Sequence, residues 1–175
     1  MAAPQARPQL HLDDRLRLDD QLCFALYAAT NPVVRRYRPL LAAIGLTYPQ
    51  YLVMLVLWQD GTRSVSELAD RLALPGNALT PVVGRLEVAG LVRRAQHPPD
   101  RRVVHVELTV AGAALETAAT DVQRQVACST RLSDDELAGL REQLHDLLGR
   151  MDVPHPPTCA GLGARTLSDP IQGVS

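Results

Sequence analysis

The chain of 175 residues contains no lysine, and all 18 of its basic residues are arginine. Phenylalanine and tryptophan occur once each, so the core must be built mainly from aliphatic side chains. A formal net charge of −1 excludes a uniformly basic surface for nucleic acid, but it leaves room for a local basic patch. Hydrophobic residues make up 46% of the chain, which is enough for one domain of ordinary size.

Cysteine and long apolar runs are scarce. The three cysteines, Cys23, Cys128 and Cys159, are widely spaced, so we expect no disulfide framework. The longest apolar run, Tyr51 to Trp58, is too short to cross a bilayer, and the N-terminus lacks a signal-peptide layout. We therefore expect a cytoplasmic protein that does not associate with a membrane. His97, His105 and His145 show no ligand pairing, and His155 with Cys159 gives only two ligands, so we expect no metal and no cofactor.

Helical periodicity dominates the first third of the chain. Apolar residues recur at steps of three and four from Arg15 to Thr30, where Asn31-Pro32 interrupts the pattern. Pro32 suits the first turn of a continuing or a new helix, and the second apolar segment stops at Gly45. Thr47-Tyr48-Pro49-Gln50 has the capping-box pattern. The helix that it starts is apolar on nearly every side, which predicts a buried position.

Two short amphipathic helices joined by a tight turn are predicted next. The first begins at the capping box Ser64-Val65-Ser66-Glu67, and Asn77 is predicted to cap the second. The period then changes to two, because Leu91–Arg94 and Val104–Leu108 read as strands on either side of a proline-containing turn. A helix-turn-helix that is followed directly by a hairpin predicts a winged helix.

The last part of the chain returns to helical spacing. Thr109 is predicted to cap an alanine-rich helix from Ala111 to about Ser129, and Ser133-Asp134-Asp135-Glu136 is a third capping box. The residues that follow the last helix are rich in proline and glycine.

The fold class predicted from these elements is mainly α with a small β-hairpin wing. The expected organisation is a flexible arm at 1–14, a winged-helix domain at 15–150 and a disordered tail at 151–175. Within the domain we assign dimerisation helices to 15–45 and 110–150, and a reading head to 46–109.

Charge is distributed unevenly, in a way that favours binding of double-stranded DNA. Residues 61–105 contain seven arginines and four acidic residues, whereas residues 106–175 contain five arginines and ten acidic residues. Cations opposite phosphates supply much of DNA affinity, and side chains on the outer face of the second helix could reach base edges. A solvated helix with a charged hairpin is the alternative. The candidate DNA-binding residues are Asn77, Thr80, Pro81, Arg85, Arg94, Arg101 and Arg102.

Two short motifs resemble those of the MarR family of regulators. Asp100-Arg101-Arg102 followed by Leu108-Thr109 is similar to the wing signature, with Asp100 and Arg102 at its defining positions. Arg85-Leu86-Glu87 followed by Ala89-Gly90-Leu91 resembles the helix-turn-helix. The resemblance covers about residues 15–150 and implies a non-enzymatic regulator, an interlocked homodimer with two reading heads on a palindromic operator. Apolar helices at both ends would indeed be left uncovered in a monomer.

Tyrosines cluster around one cysteine in the sequence. Cys23 is predicted to lie on a helix with Tyr27 one turn later, and the other three tyrosines follow before residue 52. A phenol that donates a hydrogen bond to a thiolate favours the charged form and so lowers the thiol pKa. A reactive thiolate attacks a peroxide to give a sulfenic acid, which condenses with a second thiol. Inert packing of the cysteine is the alternative that spacing alone leaves open.

Leu22-Cys23-Phe24-Ala25-Leu26-Tyr27 and Gly45 to Tyr51 closely resemble the OhrR branch of the MarR family, the peroxide-sensing repressors of organic hydroperoxide resistance genes. This resemblance implies that Cys23 is the sensor of an organic hydroperoxide. It implies that Tyr37 and Tyr48 hydrogen-bond to the sensor across the dimer interface, with Tyr27 as a further candidate. It also implies that Cys128 is the resolving cysteine. The chain departs from the branch at Gly84, where a basic residue is usual.

Three functions follow as hypotheses. The first is a transcriptional repressor inactivated when Cys23 is oxidised and forms a disulfide with Cys128 of the partner subunit. The second is a MarR-type regulator that responds to a small phenolic ligand and has structural cysteines. The third, a thiol peroxidase, is disfavoured because the chain lacks a C-x-x-C motif and an enzyme would have no use for a winged helix.

Overall fold

The computed structural model describes residues 16–96 and 103–151, which belong to two compact units, one ending at Arg131 and the other beginning at Leu132. The predicted arm, the wing-tip residues Asp100 to Arg102, and Cys159 with most of the predicted tail lie outside the described residues. The helices are α1 (Leu22–Ala43), α2 (Tyr48–Asp60), α3 (Val65–Arg71), α4 (Gly76–Val88), α5 (Val110–Ala114), α6 (Glu116–Ser129) and α7 (Asp134–Met151). The strands are β1 (Arg63–Ser64), β2 (Val92–Gln96) and β3 (Val104–Leu108).

Helix α1 is one continuous helix, so the apolar pattern is interrupted at Asn31-Pro32 but the helix continues, the first of the two possibilities. It passes through both Pro32 and Pro39. A proline removes one helical hydrogen bond, to the carbonyl four residues earlier, and here those carbonyls belong to Ala28 and Arg35. Both of these residues are exposed, so water can satisfy their carbonyls. The helix begins at Leu22 rather than near Arg15, after a short 3₁₀ turn.

Helix α2 forms the centre of the first unit, as its apolar sequence predicts. Gly45 ends the preceding helix with φ +75°, a conformation that favours glycine. The Thr47 backbone N–H then donates to Gln50 Oε1 at 2.8 Å, which confirms this part of the capping box. Five apolar side chains of α2 are buried, namely Tyr51, Val53, Met54, Val56 and Leu57.

The helix-turn-helix is confirmed as α3 and α4. Ser64 caps α3 as predicted, because its hydroxyl accepts the Glu67 N–H at 3.2 Å. The predicted cap of α4 is wrong, since Pro75 occupies the N-cap position and Asn77 lies inside the first turn. The Ala78 N–H donates to the Pro75 carbonyl at 2.9 Å, which closes the turn two residues earlier than expected.

The wing is a three-stranded antiparallel sheet in the order β1-β3-β2. The predicted hairpin of β2 and β3 is confirmed, with Arg93 opposite Glu107. Strand β1 adds Arg63 and Ser64 beside β3, and it was not predicted because two residues are too few to show a period.

The alanine-rich segment forms two helices where the sequence predicts one. Thr109 caps α5 as expected, since its hydroxyl accepts the Gly112 N–H at 3.0 Å. The break falls at Leu115, three residues after Gly112. The carbonyl of Gly112 accepts the indole N–H of Trp58 at 3.0 Å. A continuous helix would use that carbonyl for the N–H of Glu116. The break thus coincides with a contact from a distant residue, which spacing along the chain does not show.

Helix α7 lies in the second unit and begins at the predicted capping box. The Ser133 N–H donates to Glu136 Oε2 at 2.8 Å, and the Ser133 hydroxyl accepts the Glu136 N–H at 3.3 Å. None of its residues is buried, although its leucines recur with helical spacing. Its exposed apolar residues are Leu140, Leu144, Leu148 and Met151.

Within the described ranges, no single helix is long and apolar enough to cross a membrane. The α1–α2 pair, bent by 77°, passes the same test of length and composition when taken together.

Candidate nucleic-acid interface and thiol site

Helix α4 has one buried face and one exposed face. Leu79, Val83 and Leu86 are fully buried. The opposite side exposes the four residues that the sequence predicts for DNA contact on this helix, namely Asn77, Thr80, Pro81 and Arg85. In the absence of DNA, Thr80 Oγ1 donates to the Gly76 carbonyl at 3.2 Å, and Arg85 Nε donates to the Pro81 carbonyl at 3.3 Å. These donors lie on one surface and have solvent-facing side chains.

Arg94 reaches this surface from strand β2. Its Nη1 donates to Glu87 Oε2 at 2.9 Å, and its backbone N–H donates to Glu87 Oε1 at 3.2 Å. Its Nη2 would lie 3.9 Å from a Cβ at Gly84. The pair is about one third exposed, so solvent screens most of its attraction. The sequence singled out Arg94 but gave no sign of its partner, which is seven residues away and on another element.

The two described cysteines are free thiols on exposed positions. Cys23 is the second residue of α1, and Cys128 is the second-last residue of α6. Tyr27, one turn after Cys23, is 66% exposed. Tyr37 follows Cys23 by fourteen residues in the same unbroken helix, which places it about 21 Å farther along the axis. The tyrosine and the cysteine of one chain therefore cannot touch.

Three tyrosines gather at the other end of α1. The ring centroid of Tyr37 lies 5.2 Å from that of Tyr48 and 5.5 Å from that of Tyr51. Tyr48 and Tyr51 are one turn apart on α2, with ring centroids separated by 6.4 Å. The structure thus brings together Tyr37 and Tyr48, as predicted for a shared site, and adds Tyr51. The sequence signal for including Tyr51 was its spacing of three residues from Tyr48, which places the two side chains on the same side of a helix.

Burial raises the pKa of these phenols above their ordinary value. It raises the pKa of Tyr48, and it raises the pKa of Tyr51 to about 12 with further contributions from Tyr37 and Tyr48. Burial and the neighbouring Tyr48 also raise the pKa of Tyr37, against a lowering by a hydrogen bond with Tyr51. All three side chains are therefore hydrogen-bond donors at neutral pH.

Cys128 lies beside the same end of α1. A crevice of about 250 Å³ between α1 and α6 is lined by Arg36, Pro39 and Leu40 on one side and by Gln125, Val126 and Ser129 on the other. Cys128 directly precedes Ser129, so it lies near residues 36–40 of its own chain and far from Cys23. No group of three or more potential metal ligands occurs among the described residues.

Comparison with known proteins gives consistent matches. The MarR family model matches residues 46–104. The HTH-type transcriptional regulator TtmR of Methylorubrum extorquens is 44% identical over 149 residues, covering 81% of this chain and 76% of that protein. The organic hydroperoxide resistance transcriptional regulator of Bacillus subtilis is 37% identical over 135 residues, covering 77% and 92%.

A solved structure of reduced AbfR bound to DNA is 32% identical, with a TM-score of 0.64, and the match covers 78% of this chain and 96% of that one. AbfR is a protein of Staphylococcus epidermidis. A disulfide-formed structure of AbfR also matches, with 31% identity, a TM-score of 0.57 and coverage of 78% and 93%.

The helix-turn-helix, the antiparallel wing and the polar outer face of α4 define a winged-helix transcriptional regulator that binds DNA. The relatives are named as regulators and not as enzymes, in agreement with that class. The chain belongs to the MarR family.

Proposed function

We propose that this protein is a homodimeric repressor that organic hydroperoxides inactivate by oxidising Cys23. The observation that carries the proposal is the cluster of protonated tyrosines around Tyr37, which lies about 21 Å from the Cys23 of its own chain. Such phenols can donate hydrogen bonds to a thiolate that belongs to a second subunit. The similarity to a regulator of organic hydroperoxide resistance supports the choice of oxidant.

Exposed apolar surface supports the dimer. On α1, Leu22, Leu26 and Tyr27 are exposed, and α7 exposes a row of leucines. Apolar helix faces of this kind are normally covered, and a second copy of the chain would cover the same face on both subunits. A dimer would also hold two α4 helices for the two half-sites of a palindromic operator, about one helical turn apart.

The proposed chemistry balances with the hydroperoxide as the only oxidant. The Cys23 thiolate attacks the terminal oxygen of ROOH, the O–O bond breaks, and protonation of the leaving alkoxide gives ROH and a sulfenic acid. The thiol of Cys128 from the partner subunit then attacks that sulfur, which forms the disulfide and releases water. Tyr37 and Tyr48 donate hydrogen bonds to the thiolate in this scheme.

A gel shift with the DNA upstream of the protein's own gene tests the proposal. The reduced protein should bind, and tert-butyl hydroperoxide should release the DNA. Cys23→Ser should bind the same DNA and keep it in the presence of the oxidant, because no sulfenic acid can form. Cys159→Ser is the matched control and should respond like the wild type. A Cys23→Ser protein that still releases DNA on oxidation would contradict the proposal.

The proposed DNA contacts give a separate prediction. Arg85→Ala should weaken operator binding by about five- to 150-fold, the equivalent of one good base or phosphate contact of about 1–3 kcal/mol. Arg124 is a suitable control, because it is also exposed but pairs with Asp121 on α6 at 2.9 Å. Equal affinities of the Arg85→Ala and Arg124→Ala proteins would remove Arg85 from the interface. Asn77, Thr80, Pro81, Arg94, Arg101 and Arg102 are proposed as further contacts.

A cavity favours the alternative function of a regulator that responds to a small phenolic ligand. Space of about 240 Å³ lies between α2 and α6, with Tyr51, Trp58, Glu116 and Gln123 among its lining residues. It has both apolar and polar walls, as a site for a small phenolic ligand would need. A protein of that type would release DNA on addition of a phenolic acid, and Cys23→Ser would respond as strongly as the wild type.

A further inference from the structure

Glu87 is an acidic residue beside the proposed DNA-binding face of α4, and the proposed contacts give it no role. It is the second-last residue of α4, where the helix macrodipole opposes a negative charge. An acid beside a DNA-binding face also repels phosphates. Its ion pair with Arg94 offsets little of either cost, because both side chains are about one third exposed and solvent screens their attraction. What the pair does supply is a fixed position for Arg94.

The carboxylate of Glu87 holds Arg94 at two points. Oε1 accepts the Arg94 backbone N–H at 3.2 Å, and Oε2 accepts Nη1 at 2.9 Å. Strand β2 lies at one edge of the sheet, and this N–H donates to α4 instead of to a neighbouring strand. A hydrogen bond between a carboxylate and a guanidinium is stronger than one between neutral groups. One side chain thus fixes both the backbone and the guanidinium of Arg94.

Gly84 leaves room on α4 for this guanidinium. It lies inside the helix, where glycine is less stable than alanine. Nη2 of Arg94 lies 3.9 Å from the place where a Cβ would be, so an alanine would fit, whereas a longer side chain would compete with the guanidinium for space. Because Gly84 directly precedes Arg85, the guanidinium of Arg94 reaches the turn of α4 that also carries Arg85.

We propose that Glu87 is a positioning residue of the DNA interface, whose carboxylate holds the Arg94 guanidinium over Gly84 so that Arg94 contacts the operator together with α4. The inference rests on the proposed DNA contacts. It requires no contact between Glu87 and DNA. An arginine that is already held in place loses less side-chain freedom when the complex forms, and this favours binding.

The test measures affinity for the DNA upstream of the protein's own gene by titrated gel shifts at one fixed salt concentration. Glu87→Gln keeps the length of the side chain, and its amide oxygen can still accept the Arg94 backbone N–H. Its NH₂ group cannot accept a hydrogen bond from the guanidinium. Operator affinity should therefore fall by about two- to tenfold, the cost of ordering one long side chain on binding.

Charge alone predicts the opposite sign, because loss of an acid near DNA weakens the repulsion of phosphates. Asp70→Asn is the matched control. Asp70 is an exposed residue of α3, so this variant removes the same charge from the other helix of the helix-turn-helix. Its operator affinity should be equal to or higher than that of the wild type, whereas that of Glu87→Gln should be lower.

Double variants separate positioning from a general support of the fold. Because Glu87 acts through Arg94, Glu87→Gln/Arg94→Ala should bind the operator as Arg94→Ala does alone. A second approach leaves Glu87 in place and remains available if Glu87→Gln does not fold. Gly84→Leu should displace the guanidinium and weaken binding more than Gly84→Ala does, and it should have little further effect in an Arg94→Ala protein. Thermal unfolding midpoints verify that each variant is folded.

The outcomes distinguish the inference from the function on which it rests. If Glu87→Gln binds as tightly as Asp70→Asn, or if its effect adds fully to that of Arg94→Ala, Glu87 does not position Arg94 and the inference is wrong. If Arg94→Ala binds like the wild type while Arg85→Ala does not, the inference fails and the proposed function stands. If the wild type does not bind this DNA, the proposed function fails and the inference fails with it.

Discussion

Gly112→Ala is expected to lower the free energy of unfolding by about 2–4 kcal/mol and the melting temperature by on the order of 10 °C. An alanine Cβ at this position would overlap the carbonyl oxygen of Leu91 and lie 2.9 Å from its carbonyl carbon. It would also approach Leu108 Cδ2 at 3.4 Å. The obstacle is backbone, which cannot turn away as the end of a flexible side chain can.

Three hydrogen bonds oppose any shift that would relieve the overlap. The Leu91 carbonyl accepts the Thr109 N–H at 3.1 Å, and the Gly112 N–H donates to the Thr109 hydroxyl. On the other side, the Gly112 carbonyl holds the Trp58 indole N–H. Gly112 therefore contacts three elements: α2 through Trp58, the residue before β2 through Leu91, and the N-cap of α5 through Thr109. Movement there should also weaken operator binding, because Leu91 directly follows the turn that ends α4.

Gly149→Ala is the matched control for this prediction. Gly149 also lies in a helix, but nothing lies within 4 Å of the place where its Cβ would be. Alanine should stabilise that helix by about 0.5–1 kcal/mol, so the same substitution should have opposite signs at the two positions. Thermal unfolding followed by circular dichroism measures both. A Gly112→Ala protein as stable as the wild type would contradict the packing described here.

Local signals in the sequence predicted the parts of the fold that depend on neighbouring residues. The capping boxes at Thr47, Ser64 and Ser133 involve contacts only three residues apart, and each marks a helix start in the structure. The buried positions of α4, such as Leu79 and Val83, follow from helical spacing in the same way.

The errors arose where distant residues or solvent decide the local structure. The break at Leu115 accompanies the bond from Trp58, which lies 54 residues before its partner Gly112. The continuity of α1 through Pro32 depends on exposed carbonyls, which the sequence does not reveal. Capping by Asn77 failed because Pro75 can take an extended conformation and close the turn first.

The sequence predicted the residues of the candidate thiol site but not the distances between them. The crowding of four tyrosines near Cys23 is a sequence feature, and family resemblance assigned two of them. The separation of about 21 Å between Cys23 and Tyr37 depends on α1 being unbroken, which the sequence left open at Pro32. The approach of the Tyr51 ring to the Tyr37 ring depends on the packing of α2 against α1, which periodicity cannot specify.

Treatment of the reduced protein with tert-butyl hydroperoxide is expected to convert it to a covalent dimer on non-reducing gels. Cys128 lies beside residues 36–40 of its own α1, whereas Cys23 lies at least thirteen residues earlier in that helix, or about 20 Å away. A disulfide needs Cα atoms within about 7 Å. An intrachain bond would therefore require α1 to break, which favours a bond between subunits.

Single variants identify the thiols. The dimer band should be absent in Cys23→Ser and in Cys128→Ser and should persist in Cys159→Ser. Dithiothreitol should return the band to the monomer position. A band that requires Cys159 would make that residue the resolving thiol, and the role proposed for Cys128 would then be wrong.

Mixed dimers show whether the bond crosses subunits. A Cys23→Ser chain and a Cys128→Ser chain, coexpressed with different tags, should each fail to cross-link alone but should form a covalent heterodimer on oxidation. With Cys159→Ser added to both chains, the heterodimer holds only Cys23 of one subunit and Cys128 of the other. An intrachain bond cannot form in either chain, so the heterodimer band has no other source once Cys159→Ser is added to both. If wild-type protein instead forms a disulfide and remains monomeric on the gel, α1 must open during oxidation. The proposed contact between Cys23 of one subunit and Tyr37 of the other would then be wrong.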